Sequence, residues 1–280
     1  MHLFIEKFNG LGNDFLLLDQ RKGGDAPELP LKTRMALTDR HYGVGADGVI
    51  TLLQSEIADA SVRMHITNAD GSVPEMCGNG LRCVSQWLLE KGLVRDDEPH
   101  VIETDAGLKT VSFTEGLVRA EMGAADFDSV VPHAPMIQTW FEAGSQKYQG
   151  TAVSMGNPHL VLEAEPAAHT VQQVGPVFEC HPSFPARTNV GFLKISDVHE
   201  IDLAVWERGA GYTQACGTGA CAAVAAAVKT NRCPADAWIQ VNLPGGALHV
   251  LAEKGSFVMH MKGPALKLWE GTIQLNDLPA

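Results

Sequence analysis

Two stretches decide how this chain folds: Glu75-Met76-Cys77-Gly78-Asn79-Gly80-Leu81-Arg82-Cys83 and Ala215-Cys216-Gly217-Thr218-Gly219-Ala220-Cys221. Each carries Cys-Gly-x-Gly and runs directly into a segment with helical character. They stand 139 positions apart, from 77 to 216, in a chain of 280 residues. Laid on itself at that offset, the sequence aligns without a gap from Ile66 and Val205 through Asn68 and Glu207 to the two cysteines. A second pairing sets Gly12-Asn13-Asp14 against Gly156-Asn157-Pro158. Self-similarity at a fixed offset is the mark of a repeated unit. Two similar domains are expected, each offering one Cys-Gly-x-Gly turn to a shared cleft.

Short Val-, Ile-, Leu- and Phe-rich runs separate the glycine clusters: Phe15–Asp19, Val49–Leu53, Val101–Thr104, Ala152–Met155, Val190–Ile195, Ile201–Val205, Trp238–Leu243 and Phe257–Met261. Their length and content predict strands bounded by turns. Three segments read as helices: Leu31–His41, Leu81–Lys91 and Ala220–Asn231. Ala220–Val228 is small and apolar on every face, the pattern of a helix buried all round, here inside a curled sheet. The order is strand-rich with isolated helices, which is α+β and not a regular βαβ alternation.

Composition narrows the function. Hydrophobic residues make up 45%, enough to fill sizeable interiors. Lys and Arg number 21 against 33 Asp and Glu, a net charge of −12, which argues against a surface that tracks nucleic-acid phosphates. The longest strongly apolar run, Ala220–Val228, is far short of the ~20 residues that span a bilayer. The start, Met1-His2-Leu3-Phe4-Ile5-Glu6-Lys7, lacks the pattern of a signal peptide, so a cytoplasmic protein without membrane partners is expected. Six cysteines are too few for a disulfide scaffold of this length and are read as free thiols, ligands or catalysts.

Cys-Gly-x-Gly before a helix has a chemical logic. Glycine lets the backbone bend tightly and approach a ligand. The first N–H groups of a helix are unpaired, and the macrodipole favours negative charge beside them. A substrate carboxylate fits there, and so does a thiolate, whose pKa such an environment lowers. Cys77 and Cys216 are therefore expected to be activated, and Cys83 and Cys221 inert. A matched thiolate and thiol suit inversion of a carbon bearing an acidic hydrogen, one removing a proton from one face and the other returning one to the opposite face. A buried cysteine is ordinarily a packing residue, but two in equivalent places of a repeat argue against packing alone. Zinc is the other alternative; the sequence has no Cys-x-x-Cys or His-Glu-x-x-His, and no metal is expected. Gly43-Val44-Gly45-Ala46-Asp47-Gly48 matches a dinucleotide fingerprint, but a helix precedes it and a strand follows. The fingerprint needs the reverse, so this is a turn.

The motifs resemble the diaminopimelate epimerase family. The matching segments are Phe8-Asn9-Gly10-Leu11-Gly12-Asn13-Asp14-Phe15, Asn68-Ala69-Asp70-Gly71-Ser72, Glu75 through Cys83, Ser154-Met155-Gly156-Asn157-Pro158-His159, Thr188-Asn189-Val190-Gly191-Phe192, Glu207-Arg208-Gly209-Ala210-Gly211 and Ala215 through Ala223. The resemblance implies two pseudo-symmetric domains, residues 1–122 with about 268–280 and residues 123–267, each a mostly antiparallel sheet curled around a central helix. A final strand near Gly271–Leu275 would return to the first. It implies a cofactor-independent epimerase of LL- and meso-2,6-diaminopimelate in lysine biosynthesis, a homodimer, with Cys77 and Cys216 as the acid/base pair. Asn13, Gly78, Asn79, Gly217 and Thr218 would hold the reacting carboxylate and amino group. Asn68, Asn157, Asn189 and Arg208 would hold the distal end, Glu207 would also touch the substrate, and His159 and Glu207 would tune the thiols. Gly48 and Tyr212 depart from the Gln and Glu that many members carry there. The alternative is a racemase or dehydratase of the same fold acting on another amino acid, such as proline.

Overall fold

The computed structural model describes residues 2–24, 26–74, 76–131 and 135–275; Glu75 and the end of the first domain's return segment, 276–280, lie outside them. The chain forms two compact units, Met1–Ala120 with Gly263–Ala280, and Glu121–Lys262. The second boundary falls earlier than residue 268 because the returning strand already begins at Leu266.

The first unit contains β1 (His2–Gly10), β2 (Asn13–Asp19), α1 (Leu31–Thr38), β3 (Gly48–Leu53), β4 (Ala60–Asn68), α2 (Gly78–Glu90), β5 (His100–Thr104), β6 (Gly107–Thr114), the start of β7 (Leu117–Ala124) and β17 (Leu266–Gln274). Its sheet runs β17-β1-β2-β3-β4-β5-β6-β7; β2–β3 and β4–β5 are parallel and the other pairs antiparallel. Parallel neighbours need a crossover, and the two crossovers carry α1 and α2.

The second unit contains β8 (Thr139–Ala143), β9 (Gln146–Ser154), β10 (Pro158–Glu163), α3 (Ala168–Glu179), β11 (Asn189–Asp197), β12 (Glu200–Glu207), β13 (Gly211–Thr213), α4 (Gly217–Lys229), β14 (Ile239–Leu243), β15 (Gly246–Ala252) and β16 (Val258–Gly263). Its sheet runs β8-β9-β10-β11-β12-β14-β15-β16, with β10–β11 and β12–β14 parallel and the rest antiparallel. The pairings repeat those of the first unit strand for strand, and the crossovers again carry one helix each. The fold is α+β and internally duplicated. The short β13 is an addition that pairs with the end of β12.

In both units the second helix is the central one. α2 packs on β1, β2, β4 and β17, and α4 on β9, β10, β11, β12 and β15. Leu81, Val84, Trp87 and Leu88 of α2 are buried, as is the whole of α4 from Gly219 to Ala227. The residues that the repeat aligns, Ile66 and Val205, do the same work. A Cβ added at Gly80 would lie 3.0 Å from Ile50 and 3.4 Å from Ile66; one at Gly219 would lie 3.0 Å from Val205. The second motif glycine is thus where the sheet closes on the helix.

The helix α3 departs from the sequence reading. Gly175 and Pro176 sit inside it, and both residue types argue for a break. Tertiary contact overrides them. Val171, Val174, Gly175 and Phe178 form a buried stripe at helical spacing, and Val171, Val174 and Phe178 join a core with Phe141, Leu160 and Phe192. A Cβ at Gly175 would come within 2.6 Å of Trp206, so only glycine lets α3 lie on that ring. No described helix is long and apolar enough to cross a membrane.

Candidate active site

Cys77 and Cys216 occupy the same structural position. Each is the N-cap of its central helix, with extended backbone angles (φ −139°, ψ 117° and φ −125°, ψ 109°). Each Sγ accepts a hydrogen bond of 3.4 Å from the third helical N–H, that of Gly80 or Gly219. This is the bond a serine or aspartate cap would take, and here it leans on sulfur. A free N-terminal N–H and the positive helix end both favour thiolate at that point.

Around Cys77 the first unit assembles a polar cluster. The Cys77 thiol points its S–H at Asn13 Oδ1, 3.8 Å away. Asn79 Nδ2 donates to the same oxygen at 3.0 Å. Arg82, fully buried, donates to Asn79 Oδ1 at 2.9 Å and to Gly78 O at 3.3 Å. Asn13 Nδ2 donates to Asp47 Oδ2 at 2.9 Å. Asp14 beside it pairs with Arg40 and Lys7 at 2.7 Å each. Burial would raise the Asp14 carboxyl, but the hydrogen bonds from Arg40 and Lys7 outweigh it and hold it at about 2. Asn13, Gly78, Asn79 and Cys77 therefore come together as expected. Asn68 belongs to a separate turn at the end of β4, where Nδ2 donates to Ser72 Oγ at 2.9 Å.

Around Cys216 the second unit places a different set. Thr218 Oγ1 lies 3.6 Å from Sγ. The Glu207 carboxyl, at the end of β12, shares a hydrogen bond with the thiol and accepts one of 2.6 Å from Thr213 Oγ1. Burial, first, and the nearby Glu207 charge push the Cys216 thiol well above its ordinary range; Thr218 and the Gly219 N–H oppose this without overcoming it. Burial likewise raises Glu207, against the hydrogen bonds from Thr213 and Cys216. Helix-terminus activation is thus opposed at Cys216, where desolvation and a carboxylate act against one N–H and a dipole. Cys83, one turn into α2, is pushed up to about 12 by burial and is inert.

The remaining candidates of the second unit form a group on the ends of β10, β11 and β12. His159 and Asn189 are register partners in the parallel pair β10–β11. His159 Nε2 and Asn157 Oδ1 are 3.0 Å apart. Asn189 Nδ2 donates to Pro158 O at 2.9 Å, and its Oδ1 accepts from the Arg208 backbone N–H at 2.9 Å. The Arg208 guanidinium is exposed and donates to Ala186 O at 2.9 Å. Burial and Arg208 depress His159 to about 3, so the ring is neutral at physiological pH. A neutral His159 bonded to Asn157 orients that amide.

Three supporting residues escaped the sequence reading. Asp47 lies in the loop set aside as a turn, which it is: Gly45 has φ +80° between α1 and β3. Arg82 reads as the polar face of a helix but is its anchor. Glu179, at the end of the unexpected α3, accepts from Gly209 N–H at 3.0 Å and Trp206 Nε1 at 2.7 Å, holding the turn that carries Arg208. Only the place of Asp47, directly before a strand that pairs beside Asn13, could have flagged it. At Gly48, a Cβ would lie 2.9 Å from Thr67 O, so a larger residue there would have to push the β4 backbone away. Tyr212, the other departure, pairs with Trp206 across β12–β13 and packs on the second unit's core. No group of metal-ligating side chains occurs among the described residues.

The sequence profile described as "Diaminopimelate epimerase" matches residues 6–127 and 151–268. A protein named diaminopimelate epimerase from Synechococcus elongatus is 42% identical over 284 residues, covering 98% of this chain and 99% of the relative. One from Pelotomaculum thermopropionicum is 43% identical over 280 residues, covering 96% and 98%. Among solved structures, a hydroxyproline epimerase from Agrobacterium vitis superposes with a TM-score of 0.71 at 15% identity, covering 97% of this chain and 92% of that one. At that identity the match speaks for the fold alone.

Proposed function

The chain belongs to the diaminopimelate epimerase family, and on that premise we propose that it interconverts LL- and meso-2,6-diaminopimelate by proton transfer at the α-carbon between Cys77 and Cys216. The observation that carries this reading is the matched pair of cysteine N-caps, each with a helical N–H on its sulfur. Inversion needs one acid and one base on opposite faces of a single carbon, and two thiols can exchange those roles as the substrate's configuration changes. The Gly78 and Gly217 ends of α2 and α4 present backbone N–H groups to the substrate carboxylate and to the charge that develops when the proton leaves. Burial and Glu207, which push the Cys216 thiol up, suit it to the proton-donor role in the free enzyme. Asn13, Asn79 and Thr218 hold the reacting end.

Arg208, fork-shaped and exposed at the end of β12, takes the distal carboxylate, which favours a diamino diacid over proline-type substrates. Asn68, Asn157 and Asn189 complete that distal grip. The reaction uses no cofactor, and two catalytic thiols suit a reducing cytoplasm. A homodimer, the family expectation, is checked by light scattering.

The deciding measurement is incorporation of solvent deuterium at the α-carbon of diaminopimelate under reducing conditions. Exchange with loss of configuration is expected. Faster turnover of proline or another monocarboxylic amino acid would favour the racemase reading, and no exchange on any of them would reject both.

A further inference from the structure

We propose that Asp47 is a positioning residue of the Cys77 site: its carboxylate fixes the Asn13 amide so that Oδ1, and not Nδ2, faces the sulfur. The inference rests on the proposed role of Cys77 in proton transfer and assigns a task to a residue outside the motifs that carry the family likeness.

The argument is one of hydrogen-bond direction. A carboxylate only accepts and a guanidinium only donates, whereas an amide does either, depending on which way it is turned. Arg82 Nη2 donates to Asn79 Oδ1, which leaves Asn79 Nδ2 to donate to Asn13 Oδ1. At the other end Asp47 Oδ2 accepts from Asn13 Nδ2. The two charged ends therefore set the sense of the whole run, and neither amide can turn over without losing a bond at both of its ends. An unmet buried donor or acceptor is costly.

Asp47 is itself pinned to the strand that carries Asn13. Its Oδ2 also accepts from the Asp14 backbone N–H at 3.0 Å, and its Oδ1 accepts from Arg40 Nη2 at 2.7 Å. Its own N–H donates to Asp14 O at 2.9 Å and to Asp14 Oδ1 at 3.1 Å. The charged groups gathered here are Arg40, Asp14 and, through Asp14, Lys7, with Arg82 beyond Asn79.

The consequence falls on Cys77. Its sulfur lies between the Gly80 N–H, which favours thiolate, and Asn13 Oδ1, which accepts from the thiol. Turning the amide over would exchange that acceptor for a donor and make the sulfur more nucleophilic.

The test is a double-mutant cycle on the full-length protein, with the rate of Cys77 alkylation by iodoacetamide at pH 7 read by peptide mapping. Asp47→Ala leaves the Asn13 amide held only from the Asn79 side, so it turns over more often and alkylation is expected to speed up, by about fivefold at most, the factor one hydrogen bond carries. In an Asn13→Ala background the same change is expected to do nothing, because Asp47 acts through that amide. Asp39→Ala serves as the control. It loosens the same loop by removing the acceptor of the His41 and Tyr42 N–H groups, and should leave the rate as it was. If Asp47→Ala does not fold by circular dichroism, Asp47→Leu replaces it; it offers Asn13 Nδ2 no acceptor, and the same acceleration is expected. No acceleration, or an equal one with and without Asn13, would overturn the proposal. An intact cycle in a protein that does not exchange the α-proton of diaminopimelate would instead sink the functional reading and leave the role of Asp47 standing.

Discussion

The N-termini of α2 and α4 are the same device in two environments. Each presents a cysteine cap, a 3.4 Å N–H bond to sulfur and an oxygen that accepts from the thiol. At Cys77 that oxygen is a neutral amide and the residue is half-exposed; at Cys216 it is a carboxylate and the residue is 5% exposed. The duplication copied the backbone geometry and left the electrostatics free to diverge. A helix terminus by itself does not decide whether a cysteine is thiol or thiolate: the weight of burial and of one neighbouring charge is larger.

The sharpest way to break the comparison is to remove either sulfur. Cys77→Ala and Cys216→Ala are each expected to cost at least about a thousandfold in epimerisation, since each deletes one of two required proton carriers. Cys83→Ala should keep turnover while lowering the melting temperature. Equal loss in all three variants, measured on LL-diaminopimelate, would show that the cap position is not special.

The motif glycines separate the two ends further. A Cβ at Gly219 would stand 3.0 Å from Val205 and 3.2 Å from Cys216 Sγ, so Gly219→Ala should displace the sulfur and lower kcat about ten- to a hundredfold. At Gly80 the nearest atoms are Ile50 and Ile66, and Cys77 Cβ is 3.7 Å away. Gly80→Ala should therefore cost about 1–3 kcal/mol of stability, read by urea unfolding, with a smaller loss of kcat.

Glu207→Gln tests the charge directly. Without the carboxylate the Cys216 thiol should ionise at lower pH, visible as a downward shift in the pH profile of its alkylation while that of Cys77 stays in place. An unmoved Cys216 profile would leave burial as the sole cause.

The smallest expected effect concerns stability. His159 is held neutral down to about pH 3 by burial and Arg208, and His100 of the first unit down to about pH 4 by burial. Below about pH 6.5 the unfolded chain takes up protons that the folded one refuses, so stability falls as pH drops from there. His159→Gln and His100→Gln should each flatten the melting temperature against pH over that interval, the former extending lower. A slope unchanged by either would assign the acid sensitivity elsewhere.

Much of this was open to reading in the chain itself. The Cys-Gly-x-Gly repeat, with Ile66 and Val205 in register, anticipated the duplicated sheet and both central helices, because tight turns and helix starts are local events with local residue requirements. The helix α3 was not legible, since Gly175 and Pro176 are unfavourable until Trp206 arrives from a strand about thirty residues later to pack on that glycine. β6 was not legible either: polar residues stand along much of its length, and its hairpin partner β5 holds it more than its own apolar content does.

By itself the sequence determined the repeat, the α+β class, the two candidate sulfurs and, through its resemblance, the family. Tertiary structure alone decided that burial pushes the Cys216 thiol up, that Asp47 and Arg82 set the direction of the Asn13 and Asn79 amides, and that the buried His159 ring stands against Asn157. The physical reason is one of range. Caps and turns are settled by residues within a few positions, whereas desolvation and hydrogen-bond direction depend on groups that meet only when distant segments pack, such as Asp47 with Asn13 and Glu179 with Trp206.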